Sequence, residues 1–144
     1  TIRRADLAVF PSLYEPWGYT PVESAALGVP TVTASASGFG NYLVELGLLA
    51  EYSIRDGALG GINRVQIDQS RYKVIEDLAE IMFAAVTSTP EEFAKASAEA
   101  VRLVSATTWN KMIAKYLETY ANMAKITDAT ATYQIDTPND TNVR

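Results

Sequence analysis

The sequence predicts an α/β fold, a partial Rossmann-like parallel sheet with extra helices at its C-terminal end. Two short apolar runs, residues 7–11 and 29–34, have the length and composition of buried parallel strands. One segment of helical length separates them. A strand, a helix and a second strand at this spacing form a crossover unit, which is the building block of layered α/β folds.

The segment between the two strands carries helix start and stop signals. Thr20 is the expected N-cap, Pro21 the first helical residue, and Glu23 the third residue after the cap, where a capping box needs a carboxylate. Gly28 is expected to end the helix. The pattern therefore predicts a helix that begins directly after Thr20.

Further elements follow the second strand. Residues 35–40 predict a small-residue loop that leads into a helix over residues 41–46, and residues 62–67 predict a third strand. A helical period starts at Val74, and Thr89 restarts a helix with proline in its first turn.

A last helix is predicted from an aromatic stripe at helical spacing, formed by Trp109, Ile113, Tyr116, Tyr120 and Met123. The tail over residues 127–144 is rich in Thr, Asp and Asn, which predicts disorder. The predicted division is one domain over residues 1–126 and this tail. Because the first residue is not Met and an apolar run opens at Leu7, we expect a chain entered partway through a domain.

Composition excludes several classes of function. The 144 residues carry a net charge of -5, which gives no basic surface for nucleic acid or for an anionic membrane. Cysteine and histidine are both absent, so thiol chemistry, imidazole bases and the usual zinc sites are excluded from this chain. We therefore expect no metal or cofactor. No apolar run approaches the roughly 18 residues that span a bilayer, and a cytoplasmic location is expected.

The segment from Ser12 to Thr20 is the main site candidate. It follows the first strand, and ligands of open α/β sheets bind beyond the carboxyl ends of the strands. A helix start presents unpaired N–H groups and the positive end of a dipole, which suits a phosphate. Gly18 lets that backbone approach a ligand closely, and the Thr20 hydroxyl adds a donor. These features predict a phosphorylated ligand.

Two carboxylates and two aromatic rings flank this helix start. Of Glu15 and Glu23, one is expected to face a sugar and the other a ribose. The rings of Trp17 and Tyr19 offer flat faces of the kind that pack on sugars or bases. A purely structural alternative stands beside this interpretation. Thr20 with Glu23 then forms only a capping box worth about 1 kcal/mol, Glu15 is a solvated carboxylate, and the rings belong to a loop tucked into the core.

The segment from Phe10 to Glu23, followed by Gly28-Val29-Pro30, resembles the signature of retaining glycosyltransferases of the GT-B fold, in which seven residues separate two Glu residues. The wording Glu-Pro-Trp-Gly-Tyr-Thr-Pro and the later Ser37-Gly38-Phe39-Gly40 are most similar to the animal and fungal type of glycogen synthase. The resemblance covers residues 3–125 and is densest over residues 7–42.

This resemblance implies roles for individual residues. Glu15 would be catalytic, binding the hydroxyls of the donor glucose and stabilising the positive charge that develops at its anomeric carbon. The distal phosphate would be held by Gly18, Tyr19 and Thr20, with Tyr19 near the nucleotide, and Glu23 would bind the ribose. The donor-binding set is then Trp17, Gly18, Tyr19, Thr20 and Glu23. A cleft loop would consist of Ser37, Gly38, Phe39 and Gly40.

The implied reaction moves glucose, with retention, from UDP-glucose or ADP-glucose to the 4-hydroxyl end of an α-1,4-glucan. Its partners would be the nucleotide sugar, the glucan acceptor and an N-terminal domain missing from this chain, so the chain alone should be inactive. Two alternatives stay open: a GT-B glycosyltransferase with another acceptor, and a nucleotide- or glucan-binding module without catalysis.

Overall fold

A computed structural model describes residues 4–51, 58–68 and 70–131. The chain divides into two units, Thr1–Thr107 and Thr108–Arg144. Within the first unit the described residues form a three-stranded parallel sheet in the order β1-β2-β3. The strands are β1 (Ala8–Phe10), β2 (Thr31–Ala34) and β3 (Ile62–Val65). This arrangement confirms the predicted α/β class with its partial Rossmann-like sheet.

Helices connect and follow the strands. The first unit holds α1 (Tyr19–Ala26), α2 (Gly38–Glu45), α3 (Arg71–Thr87), α4 (Pro90–Val104) and a short 3₁₀ turn (Ser105–Thr107), and the second unit holds α5 (Trp109–Ala131). In α4 the Thr89 hydroxyl accepts a hydrogen bond from the Glu92 N–H, and the Glu92 carboxylate accepts one from the Thr89 N–H. The helix predicted to restart at Thr89 is therefore confirmed, with a complete capping box.

Buried apolar side chains form two clusters around the sheet. One cluster contains Phe39 and Leu43 of α2 together with Leu103 of α4 and Ile62 of β3. The other joins Val32, Val65 and Ile81, which come from β2, β3 and α3. Because neighbouring residues of a strand point to opposite faces, Ile62 and Val65 face opposite sides of the sheet. Helices therefore cover both sides of β3.

The start of α1 differs from the prediction. Gly18 is the N-cap, with a φ of 100°, and no side chain caps the helix within the described part of the chain. Thr20 is the second helical residue and Glu23 lies in the second turn, so the predicted capping box is wrong. A glycine in the left-handed region lets the chain turn into the helix earlier. Pro21 is tolerated at the third position because a first-turn N–H has no acceptor inside the helix.

The end of α1 confirms the predicted stop at glycine. Gly28 has a φ of 78°, and its N–H donates to the carbonyl of Ala25 at 3.0 Å. The N–H of Val29 donates to the carbonyl of Ser24 at 3.1 Å. These two bonds satisfy carbonyls that the last helical turn leaves without partners.

The loop predicted over residues 35–40 is also wrong in part. Ser37 is the N-cap of α2, so Gly38, Phe39 and Gly40 form its first turn rather than a loop. The reason is tertiary, because the preceding strand and the segment after β1 supply acceptors for the N–H groups of this turn. The sequence alone gives no indication of a helix start here, because two of these three residues are glycine and glycine is unfavourable in helices.

In the second unit, α5 places the predicted aromatic residues on one continuous helix. The rings of Trp109 and Tyr116 lie 5.7 Å apart. The helix extends to Ala131, so the predicted start of the tail at residue 127 falls inside it, and residues 132–144 lie outside the described residues. No helix in the described part of the chain is long and apolar enough to cross a membrane.

Candidate functional site

The segment after β1 lies beside the segment after β2, and main-chain hydrogen bonds join the two. The N–H of Glu15 donates to the carbonyl of Ala36 at 3.2 Å, and the carbonyl of Glu15 accepts from the N–H of Gly38 at 3.0 Å. Glu15 and Ser37 form an isolated parallel bridge. The backbone of Glu15 is therefore held at the carboxyl end of the sheet, where ligands bind in open α/β folds.

The first turn of α2 makes the remaining bonds to this segment. The carbonyl of Trp17 accepts from the N–H of Phe39 at 2.7 Å and from the Ser37 hydroxyl at 3.0 Å. A Cβ atom added at Gly38 would lie 2.1 Å from the carbonyl oxygen of Pro16, so only glycine fits there. The positive end of α2 thus stabilises the carbonyls of the segment after β1.

The four residues predicted as a cleft loop are mostly enclosed. Ser37 and Phe39 are 1% and 0% exposed, Gly40 is buried and Gly38 is half-buried. Their side chains and backbone contact the segment from Glu15 to Trp17 and the core. In this structure they position Glu15 through the main chain.

The start of α1 is open by contrast. Gly18 is buried, but the side chains of Tyr19 and Thr20 are exposed, Tyr19 to 74%. No residue in the described part of the chain accepts a hydrogen bond from the N–H of Tyr19 or Thr20. These N–H groups and the positive end of α1 are available to an anionic group from outside.

The two predicted aromatic residues lie in different environments. Trp17 is half-buried, and its ring lies 6.3 Å from that of Phe39 in a T-shaped contact and 5.6 Å from that of Tyr42. It packs against the core cluster that contains Phe39, which is the structural alternative for this residue. Tyr19 points to solvent.

The two carboxylates are separated along the site. Glu15 is half-buried in the segment after β1, whereas Glu23 is exposed on the second turn of α1. Glu15 borders the α1 start, since a Cβ atom at Gly18 would lie 3.3 Å from its Cγ. The structure therefore brings Glu15 and Gly18 together and places Glu23 one turn further along the helix.

Comparisons with known proteins bear on what this arrangement does. The family model described as glycogen synthase matches residues 1–141. The chain belongs to the glycogen synthase family. Glycogen [starch] synthase isoform 1 of Saccharomyces cerevisiae is 34% identical over 117 residues, which are 81% of this chain and 16% of the yeast protein. This family consists of glycosyltransferases, and its animal and fungal type agrees with the resemblance seen in the sequence.

Two further relatives match over fewer residues but at higher identity. The liver glycogen [starch] synthase of Homo sapiens is 54% identical over 44 residues, 31% of this chain and 6% of the human protein. The glycogen [starch] synthase of Neurospora crassa is 56% identical over 45 residues, 31% of this chain and 6% of that protein. The chain therefore spans a small part of the length of the glycogen synthases it matches.

One feature of this glycogen synthase-family chain was missed from sequence. Arg64 of β3 is 9% exposed, and its guanidinium donates to the side-chain oxygen of Asn41 and to the carbonyl of Glu51, each at 2.7 Å. Burial lowers the pKa of Arg64, while the charges of Glu51 and Asp68 act in the opposite direction. Its only signal in the sequence is a cation that interrupts an apolar strand.

A hollow of about 560 Å³ lies at the carboxyl ends of the strands, next to Arg64. Its lining includes Leu13, Ser35 and Gln66 but none of the predicted site residues. Among the described residues, no group of three acidic side chains is placed to hold a metal ion. The expectation that no metal takes part stays a prediction.

Proposed function

We propose that this chain supplies the donor-binding half of a retaining glucosyltransferase of the GT-B fold. The parent enzyme would transfer glucose from UDP-glucose or ADP-glucose to the 4-hydroxyl end of an α-1,4-glucan. The observation that carries this proposal is the position of the segment from Glu15 to Thr20. It lies at the carboxyl end of β1, with its backbone held by α2 and an open helix start at its far end.

Glu15 is the proposed catalytic residue. Its main chain is bonded on both sides, to Ala36 and to Gly38, so its side chain projects from a fixed backbone. A carboxylate in such a place accepts hydrogen bonds from glucose hydroxyls and stabilises positive charge at the anomeric carbon. Interactions of this kind accelerate a reaction when they are stronger in the transition state than in the bound substrate.

The start of α1 is the proposed site for the distal phosphate. Gly18 allows close approach, the N–H groups of Tyr19 and Thr20 have no acceptor in the described part of the chain, and the Thr20 hydroxyl is exposed. Negative charge builds on the diphosphate as it leaves, and donors fixed in advance stabilise that charge. Glu23 would bind the ribose, with Tyr19 near the nucleotide. For Trp17 we propose an indirect part in donor binding, through its packing on Phe39.

The rest of the active site comes from outside these residues. The cations that neutralise the diphosphate and the domain that binds the glucan belong to the parent chain, and we propose that this chain alone transfers no glucose. Neither a metal nor a cofactor is part of the proposed reaction. A cytoplasmic location is proposed together with this activity.

The proposal is tested on the parent protein with radiolabelled nucleotide-glucose and glycogen. Glu15→Ala should lower kcat by about 100-fold or more, which is the loss seen when one group that stabilises transition-state charge is removed. Glu45→Ala is a matched control, because Glu45 is an exposed glutamate at the end of α2. An unchanged rate in Glu15→Ala, or no glucan elongation by the wild type, would contradict the proposal.

A parallel assay with UDP-glucose and ADP-glucose identifies the donor. The family resemblance favours UDP-glucose. The ratio of kcat/KM for the two donors measures the preference directly.

A further inference from the structure

We propose that Arg64 is a positioning residue for Glu15. It acts through Asn41 and the first turn of α2, whose N–H groups donate to the carbonyls of Glu15 and Trp17. The inference rests on the function proposed above for Glu15. The link from Arg64 to the first turn of α2 does not depend on that function, because it consists of hydrogen bonds seen in the structure.

The first step is the attachment of Arg64 to α2. Arg64 lies opposite Thr33 in the sheet and is almost fully enclosed. A buried guanidinium is tolerated only where its N–H groups have acceptors. One of them is the side-chain oxygen of Asn41, at 2.7 Å, and Asn41 is the fourth residue of α2. The bond therefore joins the end of β3 to the beginning of that helix.

A second contact fixes the same turn. The position of a Cβ atom at Gly40 is 3.0 Å from a methyl group of Thr33 and 3.7 Å from Cδ of Arg64. The backbone of α2 thus rests on the side chains of β2 and β3, with no side chain of its own between them. Loss of the Arg64 guanidinium removes the bond to Asn41, while a side chain that still reaches the δ position, such as methionine, keeps this support.

The next step leads from α2 to Glu15. The N–H of Asn41 donates to the carbonyl of Ser37 at 3.1 Å and closes the first turn of α2. In this turn the N–H groups of the two residues after Ser37 donate to the segment after β1. Gly38 donates to Glu15 at 3.0 Å and Phe39 to Trp17 at 2.7 Å. Three consecutive links thus connect the Arg64 guanidinium with the backbone of Glu15.

These contacts predict a split between kcat and KM. A displacement of about 1 Å of a catalytic group lowers the rate by up to about 100-fold. Arg64 donates to Asn41 and to Glu51, and neither residue belongs to the start of α1, where the phosphate is proposed to bind. Loss of Arg64 should therefore lower kcat and leave the KM for the nucleotide sugar within about twofold.

The experiment compares Arg64→Met and Asn41→Ala in the parent protein with Ile81→Ala. Ile81 is buried on the opposite side of the sheet from α2, so its replacement destabilises the domain without touching this link. We expect kcat about 10- to 100-fold lower in the first two variants, with the double variant no worse than Arg64→Met. Asn41→Asp keeps the acceptor and should keep kcat. Ile81→Ala should lower Tm and keep kcat.

Hydrogen exchange supplies a readout that does not depend on activity. The amides of Gly38 and Phe39 should exchange faster in Arg64→Met than in the wild type, and at the wild-type rate in Ile81→Ala. If Arg64→Met does not fold, Asn41→Ala carries the same two readouts. Unchanged kcat and unchanged exchange with a lowered Tm would overturn the inference. If the wild type transfers no glucose while the amides of Gly38 and Phe39 still exchange faster in Arg64→Met than in the wild type, only the function proposed for Glu15 is contradicted.

Discussion

The starts of α1 and α2 are alike in construction and opposite in environment. Each helix has eight residues, follows a parallel strand and, among the described residues, has no side-chain cap. At α2, the N–H groups of Gly38 and Phe39 donate to carbonyls of the segment after β1. At α1, the side chains of Tyr19 and Thr20 are exposed, and their N–H groups have no acceptor in the described part of the chain.

The comparison shows that a glycine-rich helix start after a strand has two distinct uses. A helix start carries partial positive charge whether or not a ligand is present. In α2 that charge stabilises the protein's own backbone and so holds Glu15 in place. In α1 we propose that it binds the phosphate of a ligand. Changes at α2 should therefore affect stability and activity together, whereas changes at α1 should affect donor binding and transfer with little effect on stability.

The largest effect is expected for Gly38→Ala. The new Cβ atom would lie 2.1 Å from the carbonyl oxygen of Pro16, so the two segments must separate. We expect a loss of about 3 kcal/mol in the free energy of unfolding, at the upper end of what overpacking costs. Transfer activity should fall at the same time, because the separation moves Glu15. Thermal unfolding and the glucan-elongation assay measure the two effects.

Gly47→Ala is the matched control for this substitution. Gly47 has a φ of 67°, and nothing lies within 4 Å of the added Cβ atom. Only backbone strain of about 1 kcal/mol is expected there, with activity unchanged. If Gly38→Ala is no more harmful than Gly47→Ala, then close contact between the two segments is not what holds Glu15.

Thr20→Val tests the other side of the comparison. The substitution removes an exposed hydroxyl from the start of α1 and preserves the shape of the side chain. We expect a change of less than about 0.5 kcal/mol in stability, as for most surface substitutions. The KM for the nucleotide sugar should rise about tenfold, which corresponds to about 1.4 kcal/mol of binding. A large drop in Tm with an unchanged KM would show that this helix start is structural, like that of α2.

The sequence predicted the parallel sheet correctly, because strand runs and helix periods are local patterns. The position of the site after the first strand stays a prediction. The sequence did not predict the starts of α1 and α2. The Thr20, Pro21 and Glu23 spacing matches a capping box, yet the positive φ of Gly18 moves the helix start two residues earlier. The role of Gly38 depends on a segment more than 20 residues away in the chain. Such contacts between distant segments leave no periodic signal.

Arg64 was missed for the same reason. In the sequence it only weakens the pattern of the third strand, whereas in the structure it joins β3 to Asn41 across 23 residues of chain. The capping box that was expected at Thr20 occurs instead at Thr89, where Thr89 and Glu92 bond each other reciprocally. The start of α4 is therefore capped by its own side chains, unlike the starts of α1 and α2.

The smallest effect is expected at the start of α4, where the contribution of Glu92 to stability should depend on pH. Hydrogen bonds from the N–H and the hydroxyl of Thr89 lower the pKa of Glu92 below its ordinary value of 4.5. A lowered pKa means that the contribution to stability is present above about pH 4.5 and is lost as the pH falls through the folded-state value. Glu92→Gln should therefore lower Tm slightly at pH 7 and by less at pH 3.5.

Glu91→Gln is the control for the Glu92 prediction, because it removes one charge from the same turn of α4 without breaking a bond to Thr89. Because glutamine at position 92 can still accept from the Thr89 N–H, the difference in Tm between the two variants isolates the charge of the capping hydrogen bond from the general attraction between a carboxylate and a helix N-terminus. If the two variants behave alike at both pH values, the carboxylate acts through the helix dipole alone. At the α4 start a negative carboxylate would then stabilise the positive end of the helix, as the carbonyl oxygens of Glu15 and Trp17 do at the α2 start.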